Sequence, residues 1–269
     1  DGLTRRRLDK PWLRRDGKLE AATWEEALTA VAKVNPGNSV AVVAGDLLDC
    51  ETMFAAKKLA GALGSSLLEG RQTGLAYDCT NLAAVNFNSG LAGIEETDAL
   101  LIVGSHVRWE AAVLNARLRK AAKRGAKVFV VGPEWDATYP VTFLGNDLSV
   151  LNKLPKDADA ALKGAERPAL IIGGAGLAKG ALVACLALSE KYGMVREGWN
   201  GFNALHFSAS RMGGLMLGYF QAGGIADLVD AKPKMLISLG ADEVDYTRFA
   251  GSMIVYIGHH GDKGAHAAD

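Results

Sequence analysis

The final eleven residues hold His259, His260, Asp262, His266 and Asp269. Three imidazoles and two carboxylates this close in sequence form a donor set for zinc or another divalent cation. Glycines at 258, 261 and 264 weigh against a cage, because they suit a turn shaped by backbone needs. A second candidate, Gly174 to Gly180, reads GAGLAKG between an apolar run and a helical pattern. Bare amides in such a turn let a dinucleotide fold approach a pyrophosphate. The spacing is GxGxxxG, however: Lys179 stands where GxGxxG has its third glycine, and only Glu190 and Glu197 lie downstream to meet a ribose. A third group, Gly104, Ser105 and Gly132, ends two apolar runs, at the strand tips where open α/β sheets bind ligands. The weak cofactor candidates are therefore Gly104, Ser105, Gly132, Gly174 and Gly176, and the weak metal candidates His259, His260, Asp262 and His266. The expectation is that no cofactor or metal is bound at any of them.

Other chemistry has less support. The three cysteines, Cys50, Cys79 and Cys185, are isolated, with no CxxC. That suits a reducing compartment and argues against an iron–sulfur cluster, which takes about four clustered thiolates. There is no G-x-S-x-G elbow, and Ser89, Ser105 and Ser238 lack a histidine and carboxylate in matching order. Glu95-Glu96 and Asp242-Glu243 are adjacent pairs that do not face each other and are expected to be solvated. His106 and His206 are lone and are expected at the surface or satisfied in the core. No residue is assigned a catalytic role.

Composition bounds the rest. At 269 residues the chain has one or two domains, and 49% hydrophobic with 22% charged residues describes a folded protein. A formal net charge of zero argues against nucleic acid as partner. Pro168 to Leu188 is nearly all apolar, but its glycines make it a strand, a turn and a helix rather than a membrane span, so no direct membrane insertion is expected. The chain begins at Asp1 without methionine and ends Ala267-Ala268-Asp269, and is expected to be part of something longer.

The elements that position the candidates centre on Asp98 to Pro133. Leu100 to Val103 reads as a strand ending at Gly104, and a helix is predicted from near Trp109, with Leu114, Leu118, Ala121 and Ala122 on its buried face. Glu110 in the first turn and Lys120, Lys123 and Arg124 in the last complement the helix dipole, and Gly125 stops the helix. Val128 to Val131 closes a βαβ unit at Gly132-Pro133. Earlier, residues 1–22 form a basic surface strap (Arg5, Arg6, Arg7, Lys10, Arg14, Arg15, Lys18), either solvated or a docking strip for an acidic subunit. Thr23-Trp24-Glu25-Glu26 is a capping box opening a helix that Asn35-Pro36-Gly37 ends. Val40 to Ala44, Ser66 to Leu68, Thr142 to Leu144, Ala169 to Ile172, Met235 to Leu239 and Ile254 to Ile257 read as strands. Helices are predicted over 51–63 and 181–192, a short one over 210–217, and irregular chain from 145 to 167. Strands alternating with helices give an α/β class with two doubly wound, mostly parallel-sheet domains.

Five stretches carry a family resemblance: RLDKPWLRRDG with ATWEEAL, LAGIEETDALLIVG followed by GSHVRWEAAVLNARLRKA, a strand ending VVGP, MLISLGAD, and YIGHHGDKGAHAAD. Together they resemble the molybdopterin-oxidoreductase-like region of the large iron–sulfur subunits of respiratory complex I, NADH:quinone oxidoreductase. The resemblance implies molybdopterin oxidoreductase-type domains in which an early strand pairs with late ones around an insertion: 23–68 with 155–269 as the first domain and 69–154 as the inserted one. Two consecutive domains meeting near residue 155 are the simpler alternative. It implies a part in electron transfer from NADH through iron–sulfur clusters to quinone, coupled to proton translocation, with the clusters held outside this stretch. Partners would be other peripheral-arm subunits and the iron–sulfur part of the parent subunit. The location would be peripheral to the energy-transducing membrane, on the bacterial cytoplasmic or mitochondrial matrix side. Cofactor-binding relatives typically read G-x-N-P in the first loop and end the second strand in aspartate, which accepts hydrogen bonds from the cofactor's guanine. This chain has Gly104-Ser105-His106-Val107 and Gly132-Pro133-Glu134 instead. The resemblance therefore implies a non-catalytic scaffold. A stand-alone nucleotide- or molybdopterin-dependent oxidoreductase is the alternative, and a metal module built on the terminal histidines is the third reading.

Overall fold

The computed structural model describes residues 4, 5 and 7–269; residues 1–3 and Arg6 of the basic strap lie outside them. The chain divides into two compact units, Asp1–Ala76 with Ser208–Asp269, and Tyr77–Phe207.

The strap is not extended throughout. β1 (Trp12–Arg15) and β2 (Lys18–Ala21) form an antiparallel hairpin. Asp16 and Gly17 turn it with φ of 49° and 78°, the double left-handed conformation that Asp-Gly favours because it matches strand twist. The capping box forms as the sequence predicts: the Thr23 amide donates to Glu26 Oε2 at 2.8 Å, and the Glu26 amide to Thr23 Oγ1 at 3.2 Å. The helix it opens, Trp24–Val34, ends on a left-handed Asn35. β3 (Val40–Ala44) is buried on both faces, the helix Cys50–Ala62 follows, and β4 (Leu67–Glu69) lies beside β3.

The chain then enters its second unit. β5 (Ala99–Val103), β6 (Lys127–Val131), the edge strand β7 (Thr142–Phe143) and β8 (Pro168–Ile172) follow in order. β9 (Val195–Arg196) and β10 (Trp199–Asn200) make a small hairpin, and β11 (Phe202–Ala204) completes a parallel sheet of order β11-β8-β5-β6-β7. Returning to the first unit, β12 (Met235–Leu239) and β13 (Met253–Ile257) build the parallel order β13-β12-β3-β4. In that sheet Val40, Val42 and Ala44 pack one face with Met53, Ala60 and Ile237, while Ala41 and Val43 pack the other with Ile225, Leu228 and Leu236. Two covered faces explain why its central strands are continuously apolar.

An early strand does pair with a late one, since Met235 lies opposite Val40. The insertion, however, runs to Phe207 rather than to 154. β8 pairs with β5 in register from Ala99–Pro168 to Val103–Ile172, so the second sheet claims it. Three further corrections concern local structure. The predicted irregular stretch after 145 contains the helix Lys156–Gly164, which buries Ala158 and Leu162. The helix after β5 is broken: Val107–Glu110 and Ala112–Lys123 are separated at Ala111, whose φ of −148° and ψ of 65° lie outside the helical region. Glu110 therefore precedes the break instead of opening the long helix. Among the described residues, no helix is long and apolar enough to cross a membrane.

Candidate functional site

In the second unit the chain leaves β5 for β6 and β7 on one side, then returns to β8 and β11 on the other. The reversal places a crevice outside the carboxyl ends of β5 and β8, where doubly wound sheets take their ligands. Gly104, Ser105, Gly132 and Gly176 all line one cavity there. Four of the five weak cofactor candidates thus meet in space.

Backbone fills much of the crevice. Gly104 has a φ of +61°, and a Cβ there would stand 2.3 Å from the Gly176 nitrogen. A Cβ on Gly173 would stand 2.4 Å from the Gly104 carbonyl oxygen. Gly173 donates to the Val103 carbonyl at 2.8 Å, and Gly176 to the Gly104 carbonyl at 3.3 Å. The stretch Gly174–Ala178 is a five-residue helix whose Gly174 faces the Phe207 ring, 2.4 Å from where its Cβ would be. Close packing against Gly104, Ser105 and Phe207 accounts for these glycines, and the Gly173 and Gly176 amides are directed at protein carbonyls rather than outward.

Glu110 occupies the other donors. Its carboxylate accepts from the Ser105 hydroxyl at 2.6 Å and from the His106 amide at 2.9 Å. The chain thereby supplies its own anion at the loop where a ligand's would lie. On the second strand tip, the Gly132 amide donates to the Gly145 carbonyl at 2.9 Å. The cavity that remains is about 180 Å³, below the roughly 300–1,000 Å³ of pockets that enclose drug-sized ligands and cofactors.

One residue at this cavity departs from the expectation of a satisfied or surface histidine. The His106 ring lies between Trp109 and Trp135, with centroids 4.6 and 4.8 Å away. Its Nδ1 is buried without a hydrogen-bond partner among the described residues, an arrangement that costs roughly 1–3 kcal/mol. His206 is satisfied, its Nε2 lying 2.7 Å from the Val85 carbonyl oxygen. Cys79 is buried, and its thiol donates to the Tyr77 carbonyl at 3.3 Å. Burial pushes the Cys185 thiol up to about 12.

The terminal histidines belong to the first unit and do not converge. His259 and His260 meet edge to face, Nδ1 to Nδ1 at 2.5 Å, but among the described residues no three His, Cys, Asp or Glu side chains are placed to hold a metal ion. The glycines of this stretch accommodate Tyr256 instead: a Cβ on Gly258 would stand 2.3 Å from its hydroxyl oxygen, and one on Gly264 2.3 Å from its ring. Asp242 accepts from the Tyr256 hydroxyl at 3.1 Å and from the Gly264 amide at 2.9 Å, so it is not simply solvated as expected. Arg14 of β1 reaches the same segment, donating to the carbonyls of Ala268 and His266 at 2.9 and 2.7 Å. Glu95 likewise departs from the solvated expectation. Arg117 lies 2.5 Å from it, with Lys120 and Arg124 alongside, and the Arg117 hydrogen bond holds its carboxyl below the usual range.

Sequence reading missed a buried charge network at the carboxyl end of β4. Glu69 and Arg71 are both fully buried. Glu69 Oε1 accepts from the amides of Gly70 and Arg71 at 2.9 and 2.8 Å and from Arg71 Nε at 2.8 Å. Its Oε2 accepts from Arg71 Nη2 at 2.7 Å and from the Gln221 amide at 2.9 Å. Arg211, also buried, donates to the Gly70 carbonyl and pairs with Asp46 at 3.1 Å. Two cations and two carboxylates balance in charge. Glu and Arg two residues apart carry no sequence signal of burial; the only hint was their place just past a strand.

Comparison with known proteins agrees with this architecture. The chain is 38% identical over 288 aligned residues to the mitochondrial NADH-ubiquinone oxidoreductase 78 kDa subunit of Neurospora crassa, covering 100% of the chain and 38% of that protein. It is 36% identical over 281 residues to an NADH-quinone oxidoreductase subunit of Rickettsia felis, covering 100% and 41%. It is 34% identical over 283 residues to the mitochondrial NADH dehydrogenase (ubiquinone) iron-sulfur protein 1 of Solanum tuberosum, covering 100% and 38%. The chain thus spans less than half the length of these relatives. A sequence model of the molybdopterin oxidoreductases matches residues 7–269, and the chain belongs to that family.

Proposed function

We propose that this chain is a non-catalytic scaffold portion of the large iron–sulfur subunit of a complex I. The parent assembly would pass electrons from NADH through iron–sulfur clusters to quinone, coupled to proton translocation. The clusters would lie in segments outside this stretch, and the chain's role is to pack against them and against other peripheral-arm subunits. It would sit at the energy-transducing membrane without entering it, on the bacterial cytoplasmic or mitochondrial matrix side. The alignment over the whole chain to three such subunits supports this placement.

The observation that carries the non-catalytic part is the closed crevice. A pterin nucleotide needs room beside Gly104 and a carboxylate at the tip of β6. The residues present do not fit it: Gly104 and Gly176 are in backbone contact, Glu110 holds the loop's donors, and Gly132 offers no acceptor side chain. On this reading none of Gly104, Ser105, Gly132, Gly174 or Gly176 has a redox role. The test is elemental analysis of the purified chain for molybdenum and iron, with titrations of NADH and a guanine nucleotide. The expected result is substoichiometric metal and no saturable binding. One molybdenum per chain, or density for a pterin nucleotide against Gly104 and Gly132, would overturn the reading.

A further inference from the structure

The helix Ala112–Lys123 buries Leu114, Leu118 and Ala121 on its inner face. Its opposite face consists of Ala112, Val113, Ala116, Arg119, Lys120 and Lys123, all exposed, Val113 at 65%. Spacings of three and four residues hold these side chains on one stripe. The stripe changes along its length, from small and apolar in the first half to cationic in the second.

The chain as a whole is neutral, yet charge at this helix end is unbalanced. Arg117, Arg119, Lys120, Lys123 and Arg124 gather there, and among the described residues the carboxylate paired with them is Glu95, which engages Arg117, Lys120 and Arg124. Arg119 and Lys123 have no acidic partner among the described residues. The helix dipole accounts for cations in the last turn, but not for the apolar residues exposed ahead of them on the same face. A polyanion would use the charges and leave Ala112, Val113 and Ala116 bare. A membrane surface suits a helix whose apolar and charged residues lie on opposite sides of its axis. Here they share one side, so burying Val113 in lipid would carry Lys120 with it. A protein helix fits both halves. Alanines four residues apart, at 112 and 116, allow it to approach to the about 8–10 Å of packed helices. Antiparallel packing brings its first turns, where Asp and Glu are favoured, against Arg119 and Lys123.

We propose that this stripe seats, antiparallel, a helix of another subunit that carries Asp or Glu in its first turns and apolar residues after them. This rests on the scaffold reading and adds to it the chemistry of one partner.

The probe is p-benzoylphenylalanine in place of Val113 in the full-length parent subunit within its assembly, with the photolinked peptide identified by mass spectrometry. The expected product is a link to another subunit's helix, with Asp or Glu about two to three turns N-terminal to the linked residue. Arg119→Glu with Lys123→Glu should lower the yield of that link about tenfold or more, by setting like charges against each other. Ala116→Trp, which fills the stripe where close approach is needed, should do the same. All three positions are exposed, so unchanged circular dichroism is expected of both variants. If the subunit does not co-purify with an NADH:quinone oxidoreductase, the scaffold reading and this proposal fall together. Co-purification with no link from position 113, a link to a segment lacking those acids, or a yield unmoved by either variant overturns this proposal alone. Binding of the full-length subunit to phosphatidylglycerol vesicles that requires Arg119 and Lys123 would give the face to a membrane and likewise overturn it.

Discussion

Replacing Arg71 by methionine would remove one member of a pair in which both side chains have 0% exposure. Breaking such a pair on one side commonly costs about 3–5 kcal/mol, because the remaining charge has no compensating partner. Here Glu69 would keep three backbone donors, the amides of Gly70, Arg71 and Gln221. Those amides place the expected loss at the lower end, about 3 kcal/mol, or roughly two decades in the unfolding equilibrium. For a unit of this size, that lowers the melting temperature by about 10 °C. Urea unfolding combined with amide exchange at β3 and β4 would assign the loss to the first unit even if the two units melt separately. Adding Glu69→Gln removes the stranded charge, so the double variant should recover part of the loss. A loss below about 1 kcal/mol for Arg71→Met, or a double variant worse than the single by a full additive increment, would refute the reasoning. Arg108→Ala is the control: it pairs with Asp136 at 2.6 Å, but the two side chains are 41% and 74% exposed, and its loss should stay under about 1 kcal/mol.

Gly104→Ala should destabilise the second unit by about 3 kcal/mol, from a left-handed backbone and overlap with Gly176, as measured by chemical denaturation. Gly125→Ala, at φ +103° with open space around it, should cost about 1–2 kcal/mol. The carboxyls of Glu26, Asp49 and Asp136 are held low chiefly by hydrogen bonds from the amides of Thr23, Thr52 and Thr138. A folded value below the unfolded one stabilises above the unfolded value, so stability should be fully present above about pH 5 and fall as pH drops through the lowered values; melts from pH 7 to 2 would check this. Native chain should react with one equivalent of a thiol reagent, at exposed Cys50, and with three after denaturation, since Cys79 and Cys185 are buried.

Much of the fold was legible because its signals are local. The capping box at Thr23 and the apolar runs at β3, β5, β6 and β12 each follow from one stretch of chain. The Asp16-Gly17 hairpin signal is equally local, but the basic charges around it also suit a solvated strap. What failed was long-range. Nothing within Pro168–Ile172 says which sheet will take it, because an apolar run suits either; the decision rests on register with β5. At the crevice, the glycine candidates were found, but glycine marks close approach whether the approaching group is a phosphate or another backbone. Only the Gly104–Gly176 contact distinguishes the two. In sequence Glu110 sits where it would serve the helix dipole, and the break at Ala111 gives its carboxylate to Ser105 and His106 instead.

The pairing of Met235 with Val40 also has a consequence for biosynthesis. A ribosome delivers β3 before the insertion, yet the central neighbour it needs, β12, emerges only after the entire insertion has been made. The insertion is contiguous and can complete its own sheet while the nascent chain is still tethered. β3 must meanwhile wait with an unsatisfied edge, the condition under which strands mispair or recruit chaperones. Translation order therefore lets the inserted unit mature first and leaves the discontinuous one dependent on a stretch synthesised after the insertion.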